Sequence, residues 1–238
     1  MKIIRLKSND ALGSEAASLI LNLLEKKKNT LLCAATGGSP TGTYASLKKV
    51  YDRNPRLFSY LRVIKLDEWG GVPMNTPFNC ESYLQEHVIA PLQITPDRYI
   101  SFQSDPENPR EECGRIEEEL RKSGPIDICI LGLGMNGHLA LNEPNVVLEA
   151  GPHVARLSES SLTHPMVLGM GNKPTYGLTL GMADIFQSSQ ILLLISGAKK
   201  KAITAELFKK EISTSLPASF LWLHPNVVCL IDEEAFPG

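Results

Sequence analysis

The chain has 238 residues, 43% hydrophobic and 21% charged, with a formal net charge of −2 and no low-complexity stretch. That is an ordinary globular composition, long enough for a sizeable core, and it carries no global field that would draw in nucleic acid or an anionic membrane. Five cysteines, odd in number and without a CxxC pair, argue against both a disulfide framework and a zinc site.

In chain order, Lys2–Leu6 reads as a strand and not as a secretory leader, because its apolar stretch is short and is broken by Arg5 and Lys7. Asn9 or Asp10 is expected to cap a helix running to about Lys28. Its terminal Lys26, Lys27 and Lys28 complement the helix dipole and read as a solvated end. Leu31–Ala35 is a continuous apolar run, followed by a helix over 41–52. Arg62–Leu66 is the next strand, Asn79 can cap a third helix, and Tyr99–Phe102 is again extended. A charged helix over 107–123 ends at Gly124. Ile126–Leu131 is a buried strand, and 144–175 is a less regular excursion with short elements of its own. Strands follow at Tyr176–Leu180, Gln190–Ile195 and Val227–Ile231. Continuous apolar strands suit a sheet covered on both faces, and their alternation with helices predicts a three-layer α/β/α fold. The expected sheet is doubly wound, mostly parallel and Rossmann-like, with residues 1–238 forming one domain. No apolar run approaches the ~18 residues of a membrane span, so no membrane partner is expected and the cytoplasm is the default location.

Four polar clusters follow apolar strands. They are Thr36-Gly37-Gly38-Ser39-Pro40-Thr41, Asp67-Glu68-Trp69-Gly70, the loop carrying Asn136, His138, Asn142 and Glu143, and Ser196-Gly197-Ala198-Lys199-Lys200-Lys201. Open α/β sheets bind ligands beyond the carboxyl ends of their strands, so one site assembled from four loops is the geometric expectation. The Thr36–Thr41 turn opens a helix and favours an anion such as a phosphate. No Lys follows its second Gly, so it is not a nucleoside-triphosphate loop. Lys200 can add a cation to the same anion. Asp67, partly desolvated at a strand end, can serve as a base that removes a proton from carbon. His138 and Glu143, five residues apart, can form a proton-transfer pair. No GxSxG occurs, and His87, His153 and His224 read as isolated core or surface residues.

ATGGSPTGTY, KLDEWGG, LGLGMNGHLALNEP, the Gly197–Lys200 turn and PASFLWLHPNVVCLID together resemble the glucosamine-6-phosphate deaminase/6-phosphogluconolactonase superfamily over nearly the whole chain. The lactonase branch typically reads DGHTASLFP where this chain has Gly137-His138-Leu139-Ala140-Leu141-Asn142-Glu143-Pro144, which is similar to the amino-sugar phosphate deaminases. Asn136 stands where the glucosamine type has Asp. With LDEW and PASFLWLH, it resembles the galactosamine-6-phosphate isomerase branch. An Asp there would add a second negative charge beside His138, whereas Asn keeps the hydrogen-bonding side chain without it.

The resemblance implies a phosphorylated amino sugar as substrate, isomerised from aldose to ketose with loss of ammonia, and neither a metal nor a cofactor. His138 would open the pyranose, Glu143 would orient His138, and Asp67 would move a proton between C2 and C1, with Asn136 beside them. Thr36, Gly37, Gly38, Ser39 and Lys200 would hold the phosphate. The family's phosphate-binding Arg is missing from RLSESSLTHPMVLGM beyond Arg156, which leaves His164 or Lys173 to take its place. The resemblance leaves the C4 epimer and the oligomeric state open, a homo-oligomer included. The longer allosteric hexamers of the family carry a C-terminal extension, and the expectation is that this chain lacks it and the activation that goes with it. Two alternatives remain on the same scaffold. One is a sugar-phosphate lactonase, against which Asn142-Glu143-Pro144 argues. The other is a non-catalytic sugar-phosphate sensor, against which Asp67, His138, Glu143 and the lack of a basic stripe argue.

Overall fold

The computed structural model describes residues 1–237. Strands β1 (Lys2–Leu6), β2 (Leu31–Ala34), β3 (Arg62–Lys65), β5 (Tyr99–Ile100), β6 (Ile128–Gly132), β9 (Gln190–Ile195) and β10 (Val227–Asp232) form one sheet in the order β1-β10-β9-β6-β2-β3-β5. Every neighbouring pair in it is parallel. The main helices are α1 (Asn9–Lys26), α2 (Gly38–Tyr51), α4 (Pro109–Ser123) and α7 (Lys201–Phe208), and helices cover both faces. Burial follows: β2 and β10 have no exposed position, and Leu31, Leu32, Ile130, Leu131, Leu193 and Leu230 are fully enclosed. The chain steps outward from β2 through β3 to β5, then returns to place β6 on the other side of β2. The loops leaving β2 and β6 therefore diverge at a topological switch point, where such sheets open a crevice.

Three elements differ from the sequence expectation. β8 (Tyr176–Thr179) does not join the parallel sheet. It pairs antiparallel with β4 (Asp67–Gly70) and β7 (His153–Ala155) in a second, three-stranded sheet. Neither β4 nor β7 is legible as a strand: DEWG reads as a polar turn, and β7 has only three residues. Their pairing comes from the neighbour, not from local propensity. Leu66 is the hinge between the two sheets. Its N–H donates to Ala34 O at 3.2 Å and its carbonyl accepts from Leu180 N at 3.0 Å. Ser8, and neither Asn9 nor Asp10, caps α1, because Ser8 is the extended residue and its hydroxyl accepts from Ala11 N at 3.2 Å. At the other end of α1, Lys27 is not simply solvated: its Nζ lies 2.6 Å from Asp127 Oδ1. The excursion after residue 144 holds β7 and the short helices α5 (Glu159–Leu162) and α6 (Pro165–Gly169). Asn79 caps the five-residue α3 (Cys80–Leu84), accepting from Ser82 N at 2.7 Å.

Candidate active site

The ends of β2, β6 and β9 and the junction between β3 and β4 open onto one cavity of 780 Å³. Thr36, Gly37, Gly38, Ser39, Asp67, His138 and Lys200 all line it. Asn136 and Glu143 do not reach its surface and stand behind His138.

One wall is a cradle made of two turns. Gly37, at φ 99°, takes the left-handed conformation that turns the chain into α2, a backbone geometry that disfavours any side chain. Its carbonyl is held from inside by Thr41 Oγ1 and by Tyr83 OH, each at 2.9 Å. Ser39 Oγ lies 3.5 Å from Ser196 Oγ, which brings the second turn alongside the first. Gly197 N–H donates to both carboxylate oxygens of Asp232 at 3.1 and 2.9 Å, fixing that second turn. Lys200 Nζ donates to Leu133 O at the cavity edge, and burial pushes its amine below its ordinary range. Thr36 is turned differently from its neighbours, with its hydroxyl 3.5 Å from Cys80 Sγ.

Asp67 heads β4 at the point where the chain leaves the parallel sheet. Its pKa is pushed up to about 7, first by burial and then by the charge of Glu68, with Lys65 acting in the opposite sense. Cys80 Sγ sits 4.0 Å from its Oδ1. Beneath it lies a charged knot. Lys65, fully buried, donates to Glu68 Oε2 at 2.6 Å and to Glu81 Oε2 at 2.7 Å. Glu68 also accepts from the backbone N–H groups of Trp69, Cys80 and Glu81. As expected from strand alternation, Glu68 points away from the cavity. The charge of Glu68 adds to the larger effect of burial, and together they outweigh Lys65 and keep the Asp67 carboxyl partly protonated near neutrality.

The loop after β6 brings His138 and Glu143 together. A β-carbon placed on Gly134 would lie 2.4 Å from His138 Cδ2, so the imidazole rests on bare backbone. Asn136 ties the loop in two places: its Oδ1 accepts from His138 N at 3.2 Å, and its Nδ2 donates to Glu143 Oε2 at 2.8 Å. The same carboxylate oxygen is 3.2 Å from His138 Nδ1. The other oxygen, Oε1, accepts from Ser158 Oγ at 2.8 Å and from Ser161 Oγ. Burial alone would raise the Glu143 pKa. The bonds from His138, Ser161 and Asn136, together with the charge of His138, outweigh it and hold the carboxyl at about 2. A carboxylate with four donors is fixed in place, and it fixes the imidazole.

Ser158 and Ser161 were not anticipated as site residues. They belong to the cap of α5, where Ser158 Oγ accepts from Ser161 N at 3.1 Å, so their local pattern signals a helix start and gives no hint of a distant carboxylate. Cys80 and Lys65 carry no local signal for a similar reason, since Asp67 and Glu81, the partners they meet in the folded molecule, lie 13 and 16 positions away. Of the two candidates for the missing Arg, Lys173 is not at the cavity. Its Nζ is taken by the carbonyls of Val167, Leu168 and Met170 at the end of α6, at 2.6, 3.2 and 3.2 Å. His164 does line the cavity.

Residues 7–229 match the family described as glucosamine-6-phosphate isomerases/6-phosphogluconolactonase. The chain is 39% identical over 222 residues to AgaI of Escherichia coli (strain K12), named provisionally as a deaminase, covering 93% of this chain and 88% of that protein. It is 33% identical over 237 residues to the glucosamine-6-phosphate deaminase of Bacillus pumilus (strain SAFR-032), covering 99% and 98%. Among solved structures, a monomeric glucosamine-6-phosphate deaminase superposes with a TM-score of 0.92 at 31% identity, covering 99% of this chain and 98% of that one.

Proposed function

The chain belongs to the family of glucosamine-6-phosphate isomerases and 6-phosphogluconolactonase, and we propose that it isomerises and deaminates galactosamine 6-phosphate to tagatose 6-phosphate and ammonia. It is an enzyme of the amino-sugar phosphate deaminase type, and the choice of the galactosamine epimer rests on Asn136 and the LDEW and PASFLWLH stretches. The observation that carries the reaction is the shared cavity: Asp67 and His138 face the same space as the two-turn anion cradle.

In this reading Gly37, Gly38, Ser39 and Lys200 hold the 6-phosphate, with Thr36 closing the turn behind them. Binding of that remote group positions the reacting carbons. His138, oriented through Nδ1 by Glu143, exchanges a proton with the ring oxygen and O1 to open the pyranose. Asp67 removes the C2 proton, giving an enolamine with a C1–C2 double bond, and returns the proton to C1. The C2 imine so formed takes up water, and ammonia leaves. A base poised at about 7 suits a carboxylate that must both accept and donate the same proton.

Incubation of the purified protein with galactosamine 6-phosphate and, separately, glucosamine 6-phosphate, with assay of ammonia and ketose phosphate, tests the reading. Equimolar ammonia and tagatose 6-phosphate are expected, with the larger kcat/KM for the galactosamine compound. Preference for the glucosamine compound reverses the epimer assignment, and no ammonia from either compound overturns the function.

A further inference from the structure

We propose that His164 is a phosphate ligand, donating its Nε2 hydrogen to the 6-phosphate of the substrate. The inference rests on the sugar-phosphate reading above and assigns a residue to that reading's least explained part. A β-carbon built on Gly37 would lie 3.8 Å from His164 Nε2 and 3.9 Å from its Cε1, so the ring edge faces the first turn of the cradle. His164 shares the cavity wall with Ser39, Ser196 and Lys200.

The other ring nitrogen is committed. Nδ1 accepts from Met166 N at 3.3 Å as the cap of α6, which leaves Nε2 to carry the hydrogen. Burial, followed by the charges of His138 and Lys200, lowers the pKa of the ring below its usual value. At neutral pH it is therefore an uncharged, oriented N–H donor. The Trp69 ring lies 6.0 Å away between centroids, tilted by 36°, on the same cavity wall. No competing cation is at hand in this segment: Arg156 is exposed and off the cavity wall, and Lys173 is spent on three carbonyls. His164 also lies three residues beyond Ser161, whose hydroxyl holds Glu143. One short segment thus reaches the anion cradle at one end and the acid–base pair at the other.

Calorimetric titration with inorganic phosphate at pH 8, where it is a dianion, tests the proposal without requiring turnover. His164→Asn keeps an acceptor for Met166 N but is too short to reach the Gly37 turn. His164→Gln is long enough to offer an N–H there. The Asn variant is expected to melt with the wild type and to bind phosphate about tenfold more weakly, the value of a hydrogen bond to a charged group. The Gln variant is expected to recover most of that loss. Equal phosphate affinity in the wild type and the Asn variant overturns the proposal. Weaker binding in the Asn variant from a protein that releases no ammonia from either amino-sugar phosphate keeps the ligand assignment and removes the proposed function, so the two failures are distinct.

Discussion

Asp67 is a carboxylate held out of water, and the fold therefore favours its neutral form. With its pKa raised from 3.8 to about 7, the folded protein holds more protons than the unfolded chain between those values. Stability contributed by this group is therefore present at the acid end of that window and declines as pH rises through about 7. Asp67→Asn removes the buried charge. It is expected to cost at least ~10³-fold in turnover and to raise the melting temperature at pH 8 by roughly 3 °C, about 1 kcal/mol in a chain of this length. The same variant melting below the wild type at pH 8 would refute the electrostatic account. Asn136 makes a different prediction. Its Nδ2 donates to Glu143 Oε2 at 2.8 Å, so Asn136→Asp replaces a donor with a second carboxylate at contact distance. Two such groups do not both ionise freely, and the added negative charge favours a cationic imidazole. The pH–rate profile of the variant is expected to move to higher pH, as steady-state kinetics across pH 5–9 will register.

At the level of elements, α5 is held to the Glu143 carboxylate through the hydroxyls of its own cap, Ser158 and Ser161. Ser161→Ala deletes one of the four donors on Glu143 and is expected to lower kcat/KM by about tenfold, the scale of a hydrogen bond to a charged partner. A purely structural serine would instead lower the melting temperature and leave the pH–rate profile in place, whereas loss of a carboxylate donor shifts that profile. The parallel strands were legible because apolar runs bounded by polar turns need no partner to be recognised. The small antiparallel sheet was not, because DEWG and HVA become strands only when β8 lies between them. The polar clusters were found by the rule that strand ends gather ligands. The residues that support them are held by contacts spanning 13 to 18 positions, as in Cys80 with Asp67 and Ser161 with Glu143, and no short pattern encodes those.

Across the molecule, the buried knot of Lys65, Glu68 and Glu81 ties β3, β4 and α3 together under the cavity floor. Taking away its single cation leaves two carboxylates enclosed. Lys65→Ala is expected to cost about 3–5 kcal/mol, a loss that urea unfolding at pH 7.5 measures directly. A loss under ~1 kcal/mol would mean that water already reaches the knot. The three positions are therefore not equivalent. Without Glu81, Lys65 keeps a matched partner in Glu68 at 2.6 Å, whereas without Lys65 neither acid keeps one, so tolerance to substitution is expected to be lopsided across the trio.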